Sequence, residues 1–238
     1  MTRDQAARLD DQSPLRGRRE LFVLPDGVVY LDGNSLGALP RTVAGRLQQV
    51  VTDEWGTGLI SSWNTADWVG LTRRVAAKIA PLVGAAGPDV HVGDSTSVTL
   101  FKTLVAATRL RPGRRVVVME PTTFPTDAYV AAGVARAVDL ELRWCDPADP
   151  AASLDDDVAV LALTHVDFRT GRMFDLAAMG RAAHDAGALM HWDLCHSTGA
   201  VPVHLMDADA DVAVGCARVH LHLPAAGGDA RPLRPGIR

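Results

Sequence analysis

An α/β fold built on a largely parallel sheet is what this 238-residue sequence predicts, and two patterns predict it. Short, continuous apolar runs alternate with amphipathic stretches. The runs lack the in–out alternation of a half-solvated sheet, so both faces of their strands are expected to be covered by helices. The apolar fraction, 47% against 22% charged, is that of a globular chain rather than a disordered one.

The elements follow in order. Residues 41–54 come after Pro40 and set Val43, Leu47, Val50 and Val51 on one helical face. Residues 67–83 space Trp68, Leu71, Val75, Ile79 and Leu82 as a second helix. A third runs over 97–110 and stops before Pro112-Gly113. Buried strands are expected at 116–120, 142–145, 158–164, 188–192 and 212–216. Between the third and fourth of these lies a helix with Asp175 as N-cap and Gly187 as stop. From residue 217 to 238 periodicity is lost and Pro, Gly, Ala and Arg dominate, the composition of a loose, disordered tail. The organisation read from this is an N-terminal segment 1–40, a large domain 41–216 and the tail 217–238.

Composition narrows the function. A net charge of −4 and the absence of a basic cluster exclude nucleic acid as a main partner. No apolar run has the roughly 18 residues of a membrane span, and the polar start, MTRDQAARLDDQ, is unlike a secretory signal. Three widely spaced cysteines, Cys145, Cys195 and Cys216, without CxxC, suit a reducing cytoplasm and neither a disulfide frame nor a zinc ribbon.

Four polar clusters adjoin predicted strand ends, where open α/β sheets place their ligands. Gly93-Asp94-Ser95-Thr96-Ser97 precedes a helix, so its amides and hydroxyls suit a phosphate, though an ordinary N-cap explains them equally. In Thr123-Phe124-Pro125-Thr126-Asp127, Thr126 is a candidate helix cap, and Phe124 offers a stacking face or a core side chain. Thr164 to Gly171 ends a very apolar strand. In Met190 to His196, Asp193 sits near the edge of the interior and needs a partner, a protonated heterocyclic nitrogen or an arginine. His191 and His196, five apart, fit one face of neither helix nor strand, so no metal site is expected. Asp155 to Asp157 reads as a solvated turn, and Cys195 as a small buried thiol.

The joint order of the motifs is more specific than any one of them. YLDGNSLG at 30–37, DSTSVTLFK at 94–102, FPTD at 124–127, Arg169-Thr170-Gly171, WDLCHSTGAVPVHL at 192–205 and DVAVGC at 211–216 together resemble the kynureninase family. These are pyridoxal 5'-phosphate enzymes of the fold-type I, aspartate-aminotransferase class. The resemblance spans roughly residues 14–216. It implies that Thr96 and Ser97 bind the cofactor phosphate, that Phe124 stacks on the pyridine ring, and that Asp127 lies in the cofactor pocket. It implies further that Asp193 pairs with the pyridinium nitrogen and that His196 sits near the ring. Pro125, Thr126 and Thr164 fall in the same cofactor-binding set, while Asn34 and Ser35 lie towards the substrate. The implied reaction is hydrolysis of L-kynurenine or 3-hydroxykynurenine to anthranilate, or its hydroxy form, and L-alanine, in tryptophan breakdown. Intact members are expected to be homodimers.

One departure bears on activity. The family places its Schiff-base lysine three residues beyond the VGC segment, where this chain has Val219, which cannot form an imine. Lys78 and Lys102, the chain's two lysines, lie on predicted helices away from that point. The chain is therefore expected to be inactive by itself, with no catalytic lysine and with the large domain cut short before a smaller C-terminal one. A non-catalytic pyridoxal-phosphate binder, or a truncated or frameshifted remnant, is the alternative.

Overall fold

The computed structural model describes residues 1–33, 35–216 and 220–223, the last four by backbone only. Packing divides the chain into two compact units, Met1–Val69 and Gly70–Arg238. The first boundary thus falls after Val69, whereas the sequence reading put it at residue 40.

In the first unit the polar start is a helix, α1 (Arg3–Gln12). A reciprocal cap explains why so hydrophilic a stretch is helical. Thr2 Oγ1 accepts from the Gln5 amide at 3.3 Å, and Gln5 Oε1 accepts from the Thr2 amide at 2.8 Å. A two-stranded antiparallel pair, β1 (Phe22–Val23) and β2 (Leu39–Pro40), leads into α2 (Arg41–Gln49). The helix expected over 41–54 does not stay α to its end, because Val50–Trp55 widens into π-helical turns. Glu54 at that end accepts from Trp68 Nε1 at 2.7 Å and pairs with Arg46 at 2.5 Å. Trp68 is therefore held in the first unit, and the helix predicted from 67 begins only at Leu71.

The second unit carries α4 (Leu71–Val83), β3 (His91–Val92), α5 (Thr96–Arg109), β4 (Val116–Met119) and α6 (Pro125–Ala137). It continues with β5 (Glu141–Trp144), β6 (Val158–Thr164), α7 (Leu176–Asp185), β7 (Leu189–Asp193), β8 (Val212–Cys216) and β9 (His220–Leu223). A short helix, α3 (Ser62–Thr65), belongs to the first unit. The sheet order is β3-β9-β8-β7-β6-β4-β5. β5, β4, β6, β7 and β8 run parallel, and β9 turns back antiparallel to β8 and β3. The five predicted strands are the five parallel ones. Within the segment read as a tail, residues 220–223 form β9; residues 217–219 and 224–238 lie outside the described residues.

Two apolar cores lie on the two faces of this sheet. On one, Ile79, Ala80 and Val83 of α4 and Ala183 of α7 pack with Val118, Leu161, Met190 and Trp192. On the other, Leu100, Leu104 and Ala107 of α5 and Ala131 and Val134 of α6 pack with Val117, Met119, Val160 and Leu189. All seven residues of β6 are buried, as its unbroken VAVLALT run requires. Along β7 the alternation sends Met190 and Trp192 to the first core and Leu189 to the second, so Asp193 follows Leu189 onto the α5–α6 side. Helix ends follow local chemistry. Asp175 Oδ1 caps α7 through the Ala178 amide at 2.8 Å, and Gly84 ends α4 with φ +61°. A Cβ on Gly84 would stand 2.7 Å from His204 Cα, so that glycine is required by space as well as by φ. Among the described residues no helix is long and apolar enough to cross a membrane.

Candidate functional site

The site lies at the carboxyl ends of the parallel strands, and two buried carboxylates define it. Asp193 is the last residue of β7, and Asp127 is the third residue of α6; each is 5% exposed. They hydrogen-bond to each other. Burial, then the charge of Asp193, pushes Asp127 up to about 8. Burial also raises Asp193, while hydrogen bonds from Cys195 and the nearby His196 oppose that rise. The two acids therefore share a proton that Asp127 holds and Asp193 accepts. The rest of the Asp193 carboxylate is fixed by the Cys195 amide, 2.9 Å from Oδ1, and by Thr164 Oγ1, 3.5 Å from Oδ2. Thr123 Oγ1 in turn meets Thr164 Oγ1 at 3.0 Å, so a buried hydroxyl pair backs the acid.

A half-exposed aromatic wall stands beside the carboxylates. Phe124 meets Phe168 edge-to-face at 5.2 Å, and Phe168 stacks on the His196 ring at 5.7 Å. Phe124 and His196 lie 6.1 Å apart. His196 Nδ1 and Thr198 Oγ1 are buried without a hydrogen-bond partner among the described residues. Phe168 itself carries Arg169 over its face at 5.3 Å. The loop that presents both residues is shaped by Asp167, whose Oδ1 accepts from the Arg169 amide, the Thr170 amide and the Thr170 hydroxyl at 2.8–2.9 Å. It is anchored further by Arg172, which pairs with the fully buried Glu120 beyond β4 and donates to the Pro147 carbonyl at 2.6 Å.

The start of α5 supplies the third part. Ser95 is its N-cap, its Oγ accepting from the Val98 amide at 3.4 Å, and Thr96 and Ser97 are the first two helical residues. Thr96 Oγ1 lies 3.9 Å from Cys195 Sγ, which ties this helix start to the loop after β7.

The predicted residues Thr96, Phe124, Pro125, Thr126, Asp127, Thr164, Asp193 and His196 thus come to one end of one sheet, with Ser97 beside Thr96. Thr126 does not cap α6, since the helix starts at Pro125; its side chain bonds Asp127 instead. Ser35 belongs to the first unit, in a turn closed by the Leu36 amide and the Asp32 carbonyl at 3.2 Å. Asn34 and Val219 lie outside the described residues. Lys102 pairs with Asp94 on the surface, and Lys78 is exposed on α4. His191 is a structural residue, with Nε2 2.8 Å from Thr103 Oγ1 of α5. Sequence reasoning gave no role to Thr123, Phe168, Glu120 or Arg172. The signal for the last two was an acid and a base bounding otherwise apolar or glycine-containing segments, visible only once paired.

A doubly covered parallel sheet with an acid at the end of a central strand and a hydroxyl-bearing helix start beside it defines a class. The chain belongs to the aminotransferase class-V family, whose model matches residues 29–218. It is similar to kynureninases in particular. It is 52% identical over 228 residues to that of Burkholderia mallei (strain SAVP1), an alignment covering 93% of this chain and 55% of the relative. To the kynureninase of Deinococcus radiodurans it is 51% identical over 218 residues, 89% and 53% of the two chains. The chain spans about half the length of the curated relatives it matches. Among solved structures it resembles the cysteine desulfurase of Thermococcus onnurineus NA1 in its apo form, with a TM-score of 0.71 at 17% identity over 87% of this chain and 56% of that one. A NifS-like protein superposes with a TM-score of 0.67 at 15% identity over 88% and 65%.

Proposed function

We propose that this chain forms the cofactor-holding part of a kynureninase-type site, binding pyridoxal 5'-phosphate non-covalently and unable to turn over kynurenine by itself. The observation that carries the reading is the Asp127–Asp193 pair. Two buried carboxyls facing one another are costly unless a proton or a cation lies between or beside them. A protonated pyridine nitrogen supplies that cation and a hydrogen-bond donor in one group. The surroundings fit the remaining parts of the molecule. Thr96 and Ser97 at the N-terminus of α5 offer hydroxyls and amides to a phosphate, and the helix dipole favours its charge. Phe124 offers a ring face, and His196 Nδ1 and Thr198 Oγ1 are buried polar atoms without a partner among the described residues.

When bound, pyridoxal phosphate supplies an electron sink for carbanion chemistry. The chain's own residues orient and charge it. Asp193, fixed by the Cys195 amide and by Thr164, would accept from the ring nitrogen and favour its protonated form. Asp127 would stand beside that contact as the second buried carboxyl, held to Asp193. Asn34 and Ser35 are assigned to the substrate side through the family resemblance. The general base is the part this chain lacks, since Val219 stands where that resemblance puts the lysine. Homodimerisation, a cytoplasmic location and a place in tryptophan breakdown belong to the same reading.

Titrating the purified chain with pyridoxal phosphate tests it. A saturable absorbance change, lost in Asp193→Ala, is expected, with no anthranilate released from kynurenine. Absence of any saturable change overturns the cofactor assignment. Anthranilate release at the rate of a full-length kynureninase overturns the assignment of inactivity.

A further inference from the structure

The Arg169-Thr170-Gly171 motif is the tip of a hairpin that leaves the end of β6 and returns, joined by an antiparallel bridge between Val166 and Met173. Thr170 gives its amide and its hydroxyl to Asp167 Oδ1, at 2.8 and 2.9 Å. Gly171 closes the turn, its amide 2.9 Å from the Asp167 carbonyl, at a φ of +70° that suits glycine. Arg169 instead reaches out of the hairpin. Its Nη2 donates to the Thr122 carbonyl at 2.9 Å, and its guanidinium carbon stands 5.3 Å from the centre of the Phe168 ring. Thr122 is two residues before Phe124, and Phe124 meets Phe168 edge-to-face at 5.2 Å. One side chain therefore grips the backbone beside one ring and the face of the other. At the base of the hairpin the same two loops are tied again, through Arg172, Glu120 and the Thr122 hydroxyl, 3.0 Å from Glu120 Oε2. That tie is buried. The outer one is open, with Phe124 and Phe168 37% and 41% exposed, so packing by itself holds their rings weakly.

We infer that Arg169 is a positioning residue for the cofactor ring: by clasping the Thr122–Phe124 loop to Phe168, it holds the Phe124 ring in the orientation that stacks. The consequence for the cofactor rests on the pyridoxal-phosphate reading; the clasp does not. A guanidinium suits this task, because a planar cation can lie over a ring while its edge still donates to a carbonyl. Methionine keeps the length and the apolar stem and can do neither. The charge of Arg169 is partly answered inside the hairpin, where Asp167 Oδ2 lies 4.0 Å from Nη2. Its influence on a bound ring thus passes through Phe124 rather than through its own field.

The sequence makes the clasp easy to read. The chain has five phenylalanines, Phe22, Phe101, Phe124, Phe168 and Phe174, so labelling with fluorophenylalanine gives a short fluorine spectrum that Phe124→Leu and Phe168→Leu assign. Arg169→Met is expected to shift the Phe124 and Phe168 signals. Those of Phe22, in the first unit, and Phe101, on α5, are expected to stay in place and report an intact fold. Unmoved Phe124 and Phe168 signals overturn the clasp. In the second arm, pyridoxal phosphate is titrated by absorbance into wild type, Arg169→Met, Phe124→Leu and the double variant. Arg169→Met is expected to bind it about threefold to tenfold more weakly than wild type, and to cost nothing further once residue 124 is leucine. An equal loss in both backgrounds means that Arg169 acts by its charge, and overturns the positioning role. Unchanged affinity overturns the coupling. Shifted fluorine signals in a chain that binds no cofactor support the clasp while overturning the coenzyme reading.

Discussion

Replacing Asp127 with asparagine isolates the proton held between the two buried acids. In the folded chain burial and Asp193 carry the Asp127 carboxyl from its ordinary 3.8 up to about 8. Unfolded, the same carboxyl releases its proton near 3.8. Between those two pH values the folded chain binds more protons than the unfolded one, so this group's contribution to stability falls as pH rises and levels off above about 8. One proton limits the slope to about 1.4 kcal/mol per pH unit, or a ceiling of about 4 kcal/mol between pH 5 and 8. Asparagine keeps the shape and a donor towards Asp193 but has no proton to lose. Asp127→Asn is therefore expected to gain stability relative to wild type steadily across this window, most of all near pH 8. Urea unfolding at a series of pH values, followed by tryptophan fluorescence, measures it, because Trp192 is fully buried and reports the core. Taking the difference between the two proteins cancels the titrating groups that are not coupled to Asp127, leaving the Asp127–Asp193 pair. Parallel stability profiles for the two would refute the shared proton, and with it the electrostatic case for a cation at this place.

Other changes test the supports of the site. Arg172→Ala strands the fully buried Glu120 without its cation and is expected to cost about 3–5 kcal/mol in chemical unfolding. Arg172→Met with Glu120→Gln together is expected to recover most of that, which separates charge from packing. Thr164→Val removes the hydroxyl between Thr123 and Asp193 and should weaken pyridoxal phosphate about threefold to tenfold, read by absorbance titration, with little change in fold by circular dichroism. Gly84→Ala forces a Cβ against the His204 backbone at a positive φ and should lower the unfolding midpoint more than Gly133→Ala, where nothing lies within 4 Å.

Much of the sheet was legible because its strands are apolar over their whole length, and a fully buried strand leaves little room for any other pattern. β6 and β8 have the predicted limits, and the other parallel strands differ by a residue at their ends. The Asp175 cap and the Gly187 stop of α7 were legible for the same local reason. The short β3 and the returning β9 were not, since two to four residues carry no period and only the neighbouring β8 gives them a partner. α1 escaped because its stability comes from a cap rather than from an apolar face. Of the site, the motif order and the family resemblance singled out the acid at 193, the hydroxyls at 96–97 and the ring at 124.

By itself, then, the order of apolar runs and motifs determined the α/β class, the strands and the family resemblance, because each depends on residues near one another along the chain. The tertiary structure alone decided that Asp127 and Asp193 share one proton and that Arg172 reaches Glu120. Those pairs are 66 and 52 residues apart in number. Their energetics depend on burial and separation in space, which parallel strands with crossover helices set and which no local pattern records.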